Sequence, residues 1–299
     1  MLVLIADAFD RSLPDRLRAL GVDVTEDKAR QAEAEVILIR SRTKCTREYI
    51  DASPALKLII RGGVGLDNVD HAYAEWKGIT VDNTPEASSI AVAELAMSLM
   101  LAAVNQVVVG HNGMAAGRWL KKELKRTELF GKTLGLIGLG RIGSEVAKRA
   151  AAFGMRIVAY DAYVGASDVA ELVDLDTLLS SADVISLHAP LTDETRRMLG
   201  AERLARCKAG VVIVNTGRAG CVDDDAMARA LESGHVRCYA TDVWPEDPPP
   251  ADYPLLKAPN VLMVPHVGAS TEESLLRIGE AIVHKIKLHQ ERECLSHDG

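Results

Sequence analysis

The sequence predicts an α/β protein built as two doubly wound parallel sheets. Three observations lead there. Short apolar runs alternate with helical patterns along the whole chain. Two long helical stretches, from Ser88 to Val109 and from Thr271 to Gln290, frame the second set of strands. The last helix follows that set with little chain left after it, so the chain starts one unit, builds a second and returns to the first. The expected bounds are 1–92 with 275–299 for one unit and 93–274 for the other.

In the first section the strand candidates are Leu2–Asp7, Val36–Arg40, Leu58–Arg61 and Ile79–Asp82, with helices at Leu13–Leu20 and Arg47–Ala52. After the first long helix, the polar and basic stretch Gly110–Arg126 reads as an excursion over the surface. The second section gives strands at Thr133–Gly138, Met155–Asp161, Asp183–His188, Val211–Thr216, Val236–Val243 and Val261–Pro265. Helical patterns at Arg141–Phe153, Leu175–Ser181, Ala201–Cys207 and Asp223–Ser233 separate them, and Asp223 suits the N-cap of the last. Pro248–Pro250 reads as a rigid surface loop.

Composition narrows the function classes. Of 299 residues, 48% are hydrophobic and 26% charged, as in soluble globular chains, and only 4% are aromatic, so aliphatic side chains must fill the core. A net charge of -7 argues against a general nucleic-acid or anionic-membrane binder, which needs a basic surface. A small anionic ligand in a local basic pocket stays open. Met1–Asp7 has no basic segment and reads as a strand, and Ile90–Val109 carries Glu94, Asn105 and Gln106, as a buried helix does and a membrane span does not. The five cysteines, Cys45, Cys207, Cys221, Cys238 and Cys294, are scattered and form no C-x-x-C pair, so they are expected as reduced thiols in a cytoplasmic protein with no metal centre.

The strongest local signal is Gly138-Leu-Gly140-Arg141-Ile142-Gly143, directly after an apolar strand and opening an amphipathic helix. Gly138 permits the tight turn, Gly140 lets a diphosphate approach the backbone, and Gly143 lets helix and strand pack closely. The helix N-terminus then offers N–H groups and a positive dipole end to the phosphates. The following strand ends in Asp161, where a carboxylate bonds the adenosine ribose hydroxyls and repels a 2′-phosphate. NAD is therefore expected over NADP.

Hydride transfer from an alcohol also needs a base near neutrality, a cation for the carboxylate and carbonyl, and an acid that orients the base. Of the eight histidines, His266 lies just past an apolar strand, at the sheet edge where α/β proteins bind ligands. Arg218 follows another strand, where a guanidinium grips a carboxylate through two parallel bonds. Asp242, Glu246 and Asp247 follow a third, and spacing does not choose among them as the histidine's partner.

Taken together, these motifs resemble the D-isomer-specific 2-hydroxyacid dehydrogenases, the phosphoglycerate dehydrogenase branch most closely. The likeness runs from about Val36 to Ile282: Arg61-Gly-Gly63-Val64-Gly65-Leu-Asp67, Asn83-Thr-Pro85, Thr127 to Leu134 with the glycine turn, His188-Ala189-Pro190-Leu-Thr192, Asn215-Thr216-Gly217-Arg218, Asp242-Val-Trp244 and Pro265-His266-Val-Gly268. The resemblance implies a flavodoxin-like substrate domain and a Rossmann cofactor domain. It implies His266 as acid/base, Arg218 on the substrate, and cofactor contacts at Arg141, Ile142, Asp161, Ala189, Thr216, Gly217, Asp242 and Gly268. Asp242 is expected to accept from the nicotinamide carboxamide. Asp247 stands where the family has a glutamate, a methylene longer, with Glu246 just before it; one of the two is the expected partner of His266. Ala219 replaces the usual glycine after Arg218, and Val64 stands where relatives often have threonine.

For the substrate, the backbone N–H groups of Gly63, Val64 and Gly65 are expected to hold the carboxylate, with Arg40, Arg42, Lys44 and Arg61 favouring a phosphorylated acid. The implied reaction is NAD-dependent oxidation of D-3-phosphoglycerate, the entry step of serine synthesis. The alternatives are a glyoxylate or hydroxypyruvate reductase on the same scaffold, and a cofactor-sensing binding protein like the corepressors built on it. The resemblance also implies a homodimer. The chain ends at Gly299, soon after the final helix, so no C-terminal regulatory domain is expected.

Overall fold

The computed structural model describes residues 1–297, with the side chains of 294–297 outside the description. The thiol of Cys294 and the last two residues of the expected first unit therefore lie outside the described residues. The chain divides into two compact units, Met1–Ser89 with Ala269–Gly299, and Ile90–Gly268. The sequence reading puts these seams at 92/93 and 274/275. The second falls earlier because Arg40 Nη2 donates to Ala269 O at 3.3 Å and Ser270 Oγ at 3.4 Å, tying the turn before the last helix to the first unit.

The first unit carries β1 (Leu2–Ile5), α1 (Leu13–Arg18), β2 (Asp23–Thr25), β3 (Val36–Ile39), α2 (Arg47–Asp51), β4 (Leu58–Arg61), α3 (His71–Trp76) and β5 (Thr80–Asn83). All strands pair in parallel in the order β2-β1-β3-β4-β5, the flavodoxin-like order. Strand periodicity sorts the apolar runs onto two faces: Val3, Ile5, Val36 and Leu38 on one, Leu4, Ile37 and Ile39 on the other. The final helix, Glu272–His297, places Ile278, Ile282 and Ile286 one turn apart, all fully buried on the first of these faces. Each such side chain contributes about 1.5–3 kcal/mol by leaving water, and this is what returns the chain to its first sheet.

In the second unit come α4 (Ser89–Asn105), α5 (Val107–Ala115), β6 (Thr133–Ile137), α6 (Arg141–Ala152), β7 (Arg156–Tyr160), β8 (Glu171–Leu172), α7 (Leu175–Ser181), β9 (Val184–Leu187), α8 (Ala201–Arg206), β10 (Val211–Asn215), α9 (Asp224–Glu232), β11 (Val236–Thr241) and β12 (Val261–Met263), which leaves the final helix as α10. The seven strands are parallel in the order β12-β11-β10-β9-β6-β7-β8. The strand order reverses between β6 and β9, the crevice where doubly wound sheets bind dinucleotides. Helices α4 and α6 cover one face through Ala93, Ala96, Met100, Val146 and Ala150; α7, α8 and α9 cover the other through Leu178, Leu204, Met227 and Leu231. Asp223 caps α9, accepting from Ala226 N at 2.9 Å.

One expected element is broken. The helix read as continuous from Ser88 to Val109 stops at Asn105 and bends by 63°, with Gln106 left-handed at φ 53°. The cause is tertiary. Gln106 Oε1 accepts from Lys125 N at 2.6 Å, and Asn105 Oδ1 accepts from Arg126 Nη2 at 2.7 Å, so the segment returning toward β6 claims these side chains. Helix α4 is buried as expected, whereas Val107, Val108 and Val109 are exposed. Among the described residues no single helix is long and apolar enough to cross a membrane.

Candidate active site

The glycine turn has the geometry that its spacing predicts. Gly138 lies at φ 93°, and a Cβ there would stand 2.7 Å from Ala189 N at the end of β9. A Cβ on Gly143 would run into the Gly138 carbonyl oxygen. Gly140 meets nothing within 4 Å, so the space above it is open. It is also the N-cap of α6 without any side-chain cap, so the first turn, at Ile142 and Gly143, presents N–H groups to an external acceptor. These residues fit a diphosphate. Asp161, expected on the ribose, already holds the turn: Oδ2 accepts from Leu139 N at 2.7 Å, and Oδ1 from Tyr163 N at 2.9 Å and Val164 N at 3.2 Å. A carboxylate has about four lone-pair directions, so one remains for a ribose hydroxyl.

His266 sits beyond β12 in the left-handed region at φ 53°, a conformation that costs about 1–2 kcal/mol for a residue with a side chain. Asp242, 2% exposed at the end of β11, holds that turn. Its Oδ1 accepts from Val267 N at 2.7 Å and its Oδ2 from Gly268 N at 2.8 Å. Charge-assisted bonds contribute about 1.5–3 kcal/mol each, so the clamp outweighs the strain. The approach also explains Gly268, where a Cβ would stand 2.9 Å from Asp242 Oδ2. Burial raises the Asp242 carboxyl above its ordinary value, against the pull of the two N–H groups and of His266. The residue expected to orient nicotinamide is thus also the anchor of the histidine turn, a role that spacing did not reveal.

Between the two acids left open by the sequence, the structure brings Asp247 to the histidine. Its Oδ2 lies 2.6 Å from His266 Nδ1. A carboxylate only accepts, so Nδ1 carries a proton, and the neutral form of the ring has its lone pair on Nε2. The shorter side chain suffices because Trp244 Nε1 donates to Val264 O at 3.0 Å, drawing the acidic loop against the end of β12.

Arg218 follows β10 and is half-buried, with Nη1 donating to Gly217 O at 2.8 Å. Its loop is set by Asn215, a fully buried residue that the sequence reading does not single out. The Asn215 amide donates to Arg218 O and to Tyr239 Oη, each at 3.0 Å, while Oδ1 accepts from Gly217 N at 3.0 Å. An asparagine closing a β-branched strand is the signal that could have found it. Thr216 and Ala189 are buried at neighbouring strand ends.

Within the first unit, two substrate expectations change. The Gly63 N–H donates to Thr84 Oγ1 at 2.9 Å inside the unit, so it does not face outward. Arg40 bonds Ala269 and Ser270, and burial lowers its guanidinium from its ordinary value. Arg61 folds back over Gly63, which at φ 145° has no room for a Cβ beside the guanidinium. Val64, Arg42 and Lys44 are exposed. Cys45, Cys207, Cys221 and Cys238 form no disulfide, and burial pushes Cys45 up to about 12 and Cys207 and Cys238 up to about 11, so these three stay protonated.

Comparison with known proteins agrees with this layout. Residues 97–268 match the family model described as the NAD binding domain of D-isomer specific 2-hydroxyacid dehydrogenase. The chain is 49% identical over 257 residues to a hydroxypyruvate reductase of Thermotoga maritima, covering 85% of this chain and 84% of that one. It is 47% identical over 274 residues to a D-3-phosphoglycerate dehydrogenase of Methanocaldococcus jannaschii, covering 90% of this chain and 52% of the relative. It thus spans about half the length of that relative. A crystal structure of D-lactate dehydrogenase from Aquifex aeolicus, complexed with NAD and lactic acid, is similar with a TM-score of 0.87 at 31% identity, covering 98% of this chain and 96% of that one.

Proposed function

The chain belongs to the D-isomer-specific 2-hydroxyacid dehydrogenase family, and on that premise we propose that it moves a hydride between NAD and C2 of a small D-2-hydroxy acid, with D-3-phosphoglycerate as the preferred substrate. The observation that carries the reading is the 2.6 Å contact of His266 Nδ1 with Asp247, which leaves Nε2 as a base at the carboxyl end of a strand in the unit with the glycine turn. Bound NAD supplies the hydride acceptor. His266 Nε2 takes the proton of the substrate hydroxyl, and the Asp247 carboxylate holds the imidazolium so formed. In the reverse direction the same nitrogen returns the proton. Arg218 pairs with the substrate carboxylate and polarises the developing carbonyl, from a loop that Asn215 keeps in place. Val64 and Gly65 N–H groups take the carboxylate role expected of all three loop residues, since that of Gly63 is engaged by Thr84.

The preference for a phosphorylated acid is supported by the exposed Arg42 and Lys44 on the loop after β3 and by the phosphoglycerate dehydrogenase relative. The 49% identity to a hydroxypyruvate reductase, matched over most of both chains, favours the second reading, a reductase of an unphosphorylated 2-keto acid. Initial rates with NAD and NADP against D-3-phosphoglycerate, D-glycerate and D-lactate, and with NADH against hydroxypyruvate, 3-phosphohydroxypyruvate and glyoxylate, separate them. The first reading predicts a kcat/KM for D-3-phosphoglycerate roughly ten- to a hundredfold above D-glycerate, the effect of one well-placed charge contact. Equal rates, or a preference for hydroxypyruvate over its phosphorylated form, assign the reductase. No turnover with any acid overturns both and leaves a cofactor-binding protein.

A further inference from the structure

His188 belongs to a motif of the resemblance and takes no part in the acid/base or substrate contacts of His266 and Arg218. It lies at the end of β9 against the glycine turn, with its ring 3.9 Å from where a Cβ on Gly143 would be. Its Nε2 is 2.9 Å from Ser186 Oγ and its Nδ1 3.4 Å from Thr216 Oγ1. Ser186 is fully buried and Thr216 is 7% exposed, so water does not compete for these atoms. Burial pushes the imidazole down to about 4, and near neutral pH it has one N–H and one lone pair.

The chain of bonds has a definite direction. The buried Ser186 hydroxyl must place its proton, and its partner among the described residues is His188 Nε2. An unplaced buried donor costs about 1–3 kcal/mol, so Ser186 donates and Nε2 accepts. The ring proton is then on Nδ1, which donates to Thr216 Oγ1. With its oxygen receiving that bond, the Thr216 hydroxyl is left to donate its own proton outward.

We propose that His188 is a positioning residue for the nicotinamide cofactor: it transmits the Ser186 bond to Thr216 and so makes the Thr216 hydroxyl a donor toward the ligand. The proposal rests on Thr216 being a cofactor contact. His188 itself touches no ligand and acts only through Thr216.

The test is calorimetric titration of NADH into the full chain and its variants, which needs no knowledge of the substrate. Asparagine at 188 keeps an N–H where Nδ1 stands, whereas glutamine keeps a polar atom where Nε2 stands. His188→Asn is expected to bind NADH within about twofold of wild type, and His188→Gln about three- to tenfold more weakly, the range for one hydrogen bond. Equal affinities in the two variants, whether both unchanged or both lowered, would overturn the relay, because a merely structural ring gives no such split. A second cycle does not depend on either variant folding. Ser186→Ala is expected to weaken NADH about two- to threefold in the wild-type background and not at all in Thr216→Val. Equal losses in both backgrounds would overturn the relay while leaving the cofactor site intact. A wild-type chain that takes up no NADH would overturn the cofactor site, and the relay with it.

Discussion

The two units repeat one architecture and finish its first turn in opposite ways. Each places its first strand inside a parallel sheet, with the loop after that strand at the edge where such sheets bind ligands. In the first unit the loop after β1 supplies its own anion. Asp7 Oδ2 accepts from Arg40 N at 2.6 Å and Thr43 N at 3.1 Å, and Oδ1 from the Thr43 hydroxyl at 2.7 Å. In the second unit the loop after β6 has glycines where a side chain would stand, and α6 begins with no side-chain cap. The strand end with a carboxylate of its own is closed to an external anion; the one without is open to a diphosphate. The fold provides the position, and the residues of one turn decide whether a ligand occupies it.

Changes at the open strand end should therefore reach chemistry and cofactor binding, and a change at the closed one, at Asp7, should reach stability alone. The largest expected effect is in His266→Gln, which removes the base while keeping a polar side chain. Steady-state kcat/KM should fall roughly 10²- to 10⁴-fold with NADH affinity unchanged. Full activity in that variant would contradict the assignment of the base.

Next comes acid sensitivity beneath the open turn. The His188 ring has an ordinary value of 6.5 and is held down to about 4 when folded. Between those values the unfolded chain binds the extra proton and the folded chain does not. This contribution to stability is intact above about pH 6.5 and falls as the pH drops toward 4, by up to about 3 kcal/mol. Denaturant midpoints at pH 7 and 4.5 should separate more in the wild type than in His188→Asn; equal separations would remove the histidine as the cause.

The smallest effects make the comparison sharpest. Gly140→Ala places a methyl group in open space, so its melting temperature should match wild type while NADH affinity falls roughly ten- to a hundredfold. Asp7→Ala should do the reverse, costing about 2 kcal/mol of stability with NADH affinity unchanged. Melting curves and NADH titrations of the pair check both, and a loss of NADH affinity in Asp7→Ala would break the contrast.

Much of the fold was legible because buried parallel strands are continuous apolar runs, so Leu58–Arg61 and the strand leading to Gly138 stand out in the sequence. Edge strands lack that signal. Asp23–Thr25 and Glu171–Leu172 are short and half-exposed, and no apolar run marks them. The break at Gln106 was hidden for another reason: no glycine or proline is present there, and the bond from Lys125 that fixes it comes from a distant segment. In the candidate site, spacing pointed to the glycine turn, Arg218 and His266, since each lies within a few residues of a strand end. It could not choose between Glu246 and Asp247, because that depends on how Trp244 draws their loop toward β12. Nor could it reveal Asn215 or the clamp of Asp242 on the histidine turn, which act through backbone groups that sequence patterns do not display.

The most direct test of the open strand end is a crystal structure of the chain with NADH. The diphosphate is expected over Gly140 at the N-terminus of α6, the ribose on Asp161, and the carboxamide beside Asp242. A diphosphate bound anywhere else, or a side chain folded into the space above Gly140 with NADH present, would contradict it.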